Sequence, residues 1–151
     1  MKQKVEQTEK KGKLILVIRI GGMVKVRKDI AKTLDRLRLR RKYTAVLVNE
    51  NKNSMGMIDK VKHVVAYGYI EKDTLIKLIK ERGQVIGKNK NIDFEKIADN
   101  LIKEKSLIEL GLKPFFRLHP PRKGIKSKLQ YPKGVLGNNK KDINKLVERM
   151  L

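Results

Sequence analysis

The sequence predicts an α+β fold: three short strands with two helices on one face, followed by a helical and basic C-terminal extension. Three observations predict it. Apolar, β-branched runs recur at Leu14 to Ile18, Tyr43 to Val48 and Ala66 to Ile70. The stretches between them repeat their apolar residues at helical spacing. Beyond residue 71 the chain turns helical, then basic and rich in Pro and Gly.

Taken in order, residues 1–12 form a charged tail without apolar periodicity, expected to be disordered when free. Leu14 to Ile18 reads as a buried strand, and Gly21-Gly22 breaks it. A helix follows over roughly Lys28 to Leu39, because Ile30, Leu34 and Leu37 line one face. On its far side Lys28, Lys32, Arg36 and Arg40 succeed each other at i+4. They would make a basic stripe about 10–20 Å long. Tyr43 to Val48 is the second strand. Ser54 is expected to cap a second helix, Met55 to about Val65, buried through Ile58, Val61 and Val65. Ala66 to Ile70, with Gly68 inside it, is the third strand. The order β-α-β-α-β makes a small layered domain, assigned to residues 13–71.

Residues 72–151 read as an extension packed on that core. Asp73 is expected to cap a helix from Thr74 to Arg82, ended by Gly83. Gln84 to Asn91 is a basic connector. Asp93 caps a further helix, with Ile92 and Ile97 in hydrophobic-staple positions. Ser106 to Leu110 predicts one or two helical turns stopped by Gly111. Phe115 to Leu118 predicts a strand. A last helix, about Lys141 to Met150, buries Ile143, Leu146, Val147 and Met150.

Charge narrows the function. The chain has 38 Lys and Arg against 16 Asp and Glu, a net charge of +22. A compact body so charged repels itself and calls for a polyanion opposite it. Nucleic acid fits first and an anionic membrane surface second. The longest apolar run, about Leu14 to Ile20, is interrupted by Arg19 and falls well short of the ~18 residues that span a bilayer. The polar segment Met1 to Lys13 does not read as a signal peptide. With no cysteine there is no disulfide, thiolate metal site or lipidation cysteine, which fits a reducing cytoplasm.

Between Lys113 and Lys141 there is no Asp or Glu but nine Lys or Arg, and all four prolines lie there. Such a stretch is expected to be loose alone and to order by neutralising phosphates. Arg117, Arg122, Lys123, Lys126 and Lys128 are its candidate contacts. Phe115, Phe116 and Tyr131 lie in or beside it and could stack on an unpaired base, although the two phenylalanines suit a core equally well. Gly21-Gly22 is a tight turn, or a loop whose amides approach a phosphate near the helix N-terminus. The two histidines, His63 and His119, lack ligand spacing. No carboxylate pair or nucleophile elbow is present. Neither catalysis nor a cofactor or metal is expected.

Several stretches together resemble a known family. LILVIRIGGMVKVRKDIAKTLDRLRLRRKYTAVLVNEN and GMIDKVKHVVAYGYI, spanning Leu14 to Ile70, are similar to the universal large-subunit ribosomal protein thirty family. Gly56-Met57-Ile58-Asp59-Lys60-Val61 resembles its G-M-(I/V/L)-x-K-V motif. Phe116-Arg117-Leu118-His119-Pro120-Pro121-Arg122-Lys123-Gly124 resembles the FRLxPPRxG signature of its archaeal and eukaryotic branch. Gly137-Asn138-Asn139 and Ile143-Asn144-Lys145-Leu146 resemble that branch's ending. Lys123 stands where a glycine is frequent, Asn139 where an arginine is frequent, and Met55 where bacterial members tend to carry arginine. The resemblance implies a ferredoxin-like core with a three-stranded antiparallel sheet. It implies large-subunit ribosomal RNA as partner, with 5S rRNA and neighbouring ribosomal proteins nearby, and a role in assembly and support. It carries RNA contact onto Arg19, Gly21, Lys25, Lys28, Lys32, Arg36, Lys52, Lys60, Arg117 and Arg122.

A rigid basic face that reads RNA shape through phosphates and ribose hydroxyls follows from this. If about eight phosphates are neutralised, the log–log salt slope should lie near −6 to −7. Two other classes remain open. One is a free RNA-binding factor acting outside the ribosome. The other is a small enzyme such as an acyl phosphatase, which would need Arg19 and Asn51 poised on one anion.

Overall fold

A computed structural model describes residues 13–88 and 91–151. The tail expected over residues 1–12, and residues 89 and 90 of the connector, lie outside the described residues.

Every residue of the first strand, β1 (Leu14–Arg19), is buried. Its apolar run is continuous, not alternating, because both faces of the sheet are covered. β1 runs antiparallel to β2 (Thr44–Asn49) and to β3 (Val65–Tyr69), with Leu16 opposite Leu47 and Gly68. Period-two alternation then divides the core. Ile15 and Val17 meet the side covered by α1 (Lys28–Arg36) and α2 (Lys52–Val61). Leu14, Leu16 and Ile18 meet α3 (Lys72–Arg82), α4 (Phe94–Ile102) and α5 (Ile143–Met150). Leu16 is wholly buried, so Leu16→Ala should cost roughly 2–5 kcal/mol.

The antiparallel three-stranded core with two helices on one face stands as expected. Two short strands from the extension widen it. β4 (Phe116–Arg117) lies antiparallel on β2, and β5 (Gly137–Asn138) lies parallel on β3. The sheet order is therefore β4-β2-β1-β3-β5. Gly68 allows this closure: a Cβ there would meet the Cβ of Ile143 at 2.9 Å and collide with the Lys140 carbonyl.

Several boundaries differ from the sequence reading. α1 ends at Arg36, three residues early, in a Schellman turn: the Leu39 amide donates to Leu34 O at 2.8 Å and the Arg38 amide to Asp35 O at 3.0 Å. Buried Leu34 and Leu39 supply the apolar contact of that motif. α2 begins at Lys52 after Asn51, so Ser54 is inside its first turn, and it ends at Val61 because Val65 starts β3. α3 begins at Lys72, which puts Asp73 in the first turn and not at the cap. Asp93 does precede α4, but its carboxylate takes Lys96 at 2.5 Å instead of a backbone amide. Ser106 to Leu110 forms turns, closed by Gly111 at φ 76.

The acid-free segment is hydrogen-bonded to the core and to the last helix. Amides of Leu118, His119 and Arg122 donate to carbonyls of Tyr43, Met150 and Arg149. The Arg149 guanidinium returns bonds to the Arg122 carbonyl at 3.1 and 2.9 Å, and Tyr131 donates to Asp142 at 2.5 Å. These bonds run to the last helix, to the turn before it and to Tyr43.

Candidate nucleic-acid interface

Amphipathic α1 turns Leu34 to the core and Lys28, Lys32 and Arg36 to solvent. The Thr33 hydroxyl donates back to Asp29 O at 2.9 Å, which keeps the inner face satisfied. Of the two acids here, Asp29 is held by Arg27 at 3.2 Å and Asp35 lies 3.7 Å from Arg40. Among the described residues none of Lys28, Lys32 or Arg36 has an ion-pair partner. The stripe ends at Arg36, because Arg40 lies beyond the Schellman turn. It is about 12 Å long at 1.5 Å per residue.

The turn does something the stripe reading missed. Arg38 sits at φ 61 and Tyr43 at φ 61. This path gathers Arg36, Arg38, Arg40 and Arg41 with Arg117 of β4 around one open groove of about 570 Å³, over Thr44 and Phe115. Asp35 is its one acid. The Arg117 guanidinium carbon lies 5.7 Å from the centroid of the Phe115 ring, a cation–π geometry. In the sequence Arg38 and Arg41 only extend the charge beyond the stripe. Only the left-handed turn brings them together, and an arginine in a left-handed position gives no glycine signal.

Arg19 differs from the other candidates. It is 4 % exposed. Its guanidinium donates to four carbonyls: Gly21 at 3.1 Å, Gly22 at 3.1 Å, Leu39 at 2.6 Å and Arg40 at 3.0 Å. Burial pushes its pKa down while Asp35 pulls it up. The acceptors suit the charged form, which arginine keeps. Four of its five donors are thus engaged, so Arg19 holds the loop and the turn. The same engagement removes the pairing of Arg19 with Asn51 that an acyl phosphatase would need.

Gly21 is also taken. Its amide donates to Val64 O at 2.8 Å, and a Cβ would meet Val64 Cβ at 2.9 Å. The tight-turn reading therefore describes it, and its amide is not open to a phosphate. Lys25 is exposed at φ 58 in the following loop, beside exposed Met23 and Val24.

Lys52 and Lys60 both lie exposed on α2, Lys52 in the first turn rather than in a loop. Gly56, midway between them, is exposed, and a Cβ there would touch nothing within 4 Å. Met55 and Met57 pack half-buried on the core.

On the extension, Arg122, Lys123, Lys126 and Lys128 are exposed. Lys123 and Lys126 border a second groove with Lys133, Lys145 and Arg149, which the sequence reading did not single out. Lys123 has φ 65, a backbone state that explains why a glycine suits the position. Asn139 is buried and donates to Val135 O at 2.7 Å and Gly137 O at 3.1 Å, an internal role. Of the three aromatics, Phe116 is wholly buried in the core, and Phe115 and Tyr131 are half-buried.

The geometry is that of a rigid α+β body carrying two basic surfaces, the build of a polyanion-binding structural protein. A family model for ribosomal protein L30p/L7e matches residues 15–65. Large ribosomal subunit protein uL30 of Archaeoglobus fulgidus is 40 % identical over 151 residues, covering 91 % of this chain and 99 % of that one. The uL30 of Methanobrevibacter smithii is 42 % identical, covering 91 % and 100 %. That of Hyperthermus butylicus is 36 % identical, covering 99 % and 96 %. The likeness thus runs through the extension, and the chain belongs to the ribosomal protein L30p/L7e family.

Proposed function

We propose that this chain is a structural constituent of the large ribosomal subunit, working in the cytoplasm and supporting the folding of ribosomal RNA without catalysis. The observation that carries the reading beyond family membership is the exposed basic stripe Lys28, Lys32, Arg36, continued by the arginine groove on one rigid turn. Cations spaced along a helix match a phosphate backbone, and the helix sets their spacing before RNA arrives. Lys25, Lys52 and Lys60 extend the contact on the core. Arg122, Lys123, Lys126 and Lys128 form the second, on the extension, where 5S rRNA or neighbouring ribosomal proteins are the expected partners. Contact is to phosphates and ribose hydroxyls, so shape rather than sequence is read.

Sedimentation of native lysate on sucrose gradients tests this. The chain should co-migrate with large subunits at low and at moderately high salt. Its presence only in the light fractions at every salt concentration would overturn the ribosomal reading.

A further inference from the structure

We propose that Arg117, whose guanidinium lies over the Phe115 ring in the arginine groove, is a platform for one unpaired RNA base, and that the neighbouring arginines hold the phosphates of that nucleotide. The inference rests on the RNA-binding reading above and adds the kind of nucleotide taken and the way it is held.

Three features point to a base as well as a phosphate. The groove is lined by five arginines and no lysine, although lysine is common elsewhere on the surface. A guanidinium offers a flat face and a fork of donors, whereas an ammonium offers only a point charge. The groove, at about 570 Å³, falls within the size range that accepts a small ligand.

The platform is also held in place. Phe115 packs half-buried against the core beneath α1 and α2. Arg117 lies next to it on β4, paired across to Thr44. Its guanidinium carbon lies over the ring, 5.7 Å from the centroid, and among the described residues Arg117 has no ion-pair partner. The rim is equally fixed, because Arg19 holds the carbonyls of Leu39 and Arg40. Paired bases in an RNA helix cannot present a face to such a platform. A single unstacked nucleotide can, and bases stack on guanidinium planes as on aromatic rings.

The test uses the full chain and a large-subunit rRNA transcript, with affinity measured across salt and base reactivity read by chemical probing. Arg117→Lys keeps the charge and removes the plane. Phe115→Leu keeps an apolar side chain and removes the ring beneath. Each should weaken binding roughly five- to hundred-fold with the salt slope unchanged. Each should also expose to reagent the same unpaired nucleotide that the wild type protects. Wild-type binding by Arg117→Lys, with a slope lowered only by Arg117→Gln, would make Arg117 a phosphate contact and overturn the platform. Unchanged binding in all three would leave the groove to an acidic protein partner, and also overturn it. Melting curves identify a misfolded Phe115→Leu; the exposed Arg117→Lys then decides alone. A wild-type chain that forms no complex with the transcript would overturn the RNA reading itself, and this inference with it.

Discussion

The guanidinium of Arg19, at the end of the central strand, donates to the main-chain carbonyl of Arg40 at 3.0 Å, twenty-one residues further along. One buried cation thus fastens the loop before α1 to the turn after it. Arg19→Met would leave four carbonyls without that donor. At about 1–3 kcal/mol for each acceptor left buried and dry, and with some of them reached by water, about 2–4 kcal/mol should be lost. For a chain of this length the melting temperature should fall by roughly 5–15 °C. Affinity for rRNA, measured below both melting points, should fall because the arginine groove loosens. The salt slope should not change, since the donors of Arg19 are engaged within the chain. A slope reduced by roughly 0.7–0.9 would return Arg19 to the set of direct contacts.

Gly56 offers the opposite case. It sits inside α2 with open space where a Cβ would go, midway between exposed Lys52 and Lys60. Glycine in a helix interior costs about 1 kcal/mol relative to alanine, and the folded chain has no internal use for it. Gly56→Ala should therefore raise the melting temperature by about 2–4 °C while weakening RNA binding, because bare backbone lets a phosphate come close. Calorimetry beside a binding titration would separate the two effects. A stabilised variant with full affinity would mean that this face of α2 is not approached by RNA.

These two residues show what the sequence could and could not tell. The three strands, both core helices and the last helix were legible, because apolar periodicity is a local signal. The continuous run of β1 also held more than was taken from it. A strand apolar at every position is covered on both faces, so the helices beyond residue 71 had to form a second layer. Helix ends were read less well: Ser54 and Asp73 are good caps by type, yet the helices begin before them. The basic stripe was legible for Lys28, Lys32 and Arg36, which share one helix. Arg40 left the stripe and Arg38 and Arg41 joined the groove through a left-handed arginine, whose sequence shows no glycine there. RNA contact comes to Arg19 only through the family resemblance, and the sequence does not show its carbonyl partners, two of which lie twenty or so residues away.

Tyr131 and Asp142 tie the acid-free segment to the start of the last helix, with the phenol donating at 2.5 Å. The hydrogen bond from Tyr131 holds the Asp142 carboxyl below its ordinary value, Lys145 adds to the shift, and partial burial opposes it. The same bond pushes the Tyr131 phenol up. A depressed carboxyl pKa stabilises the fold above the unfolded value, and that contribution is lost as pH falls through the folded value. The raised phenol contributes below its unfolded value and loses its effect as pH rises through the folded one. Tyr131→Phe should move the Asp142 titration up toward the ordinary carboxylate range, read from its carboxyl carbon by NMR. It should also shift the onset of acid unfolding to slightly higher pH. An unchanged Asp142 titration would show that Lys145, not Tyr131, sets it.

The two basic surfaces should engage different numbers of phosphates. Lys28, Lys32 and Arg36 lie on one rigid helix, so a single RNA strand can meet all three at once. Each should release roughly 0.7–0.9 of a counterion equivalent. The triple glutamine variant should therefore shift the slope of log affinity against log salt by about 2–3, out of an expected total near −6 to −7. Changing Lys123, Lys126 and Lys128 to glutamine should shift it less, because Lys128 does not border the groove that Lys123 and Lys126 share. Stability should hardly move in either variant, since these side chains are exposed and surface charge changes cost little. Equal slope changes from the two triples would mean that the extension binds as closely as the helix. No change from the helix triple would remove α1 from the interface, and the arginine groove beside it would then have to bind RNA without the stripe.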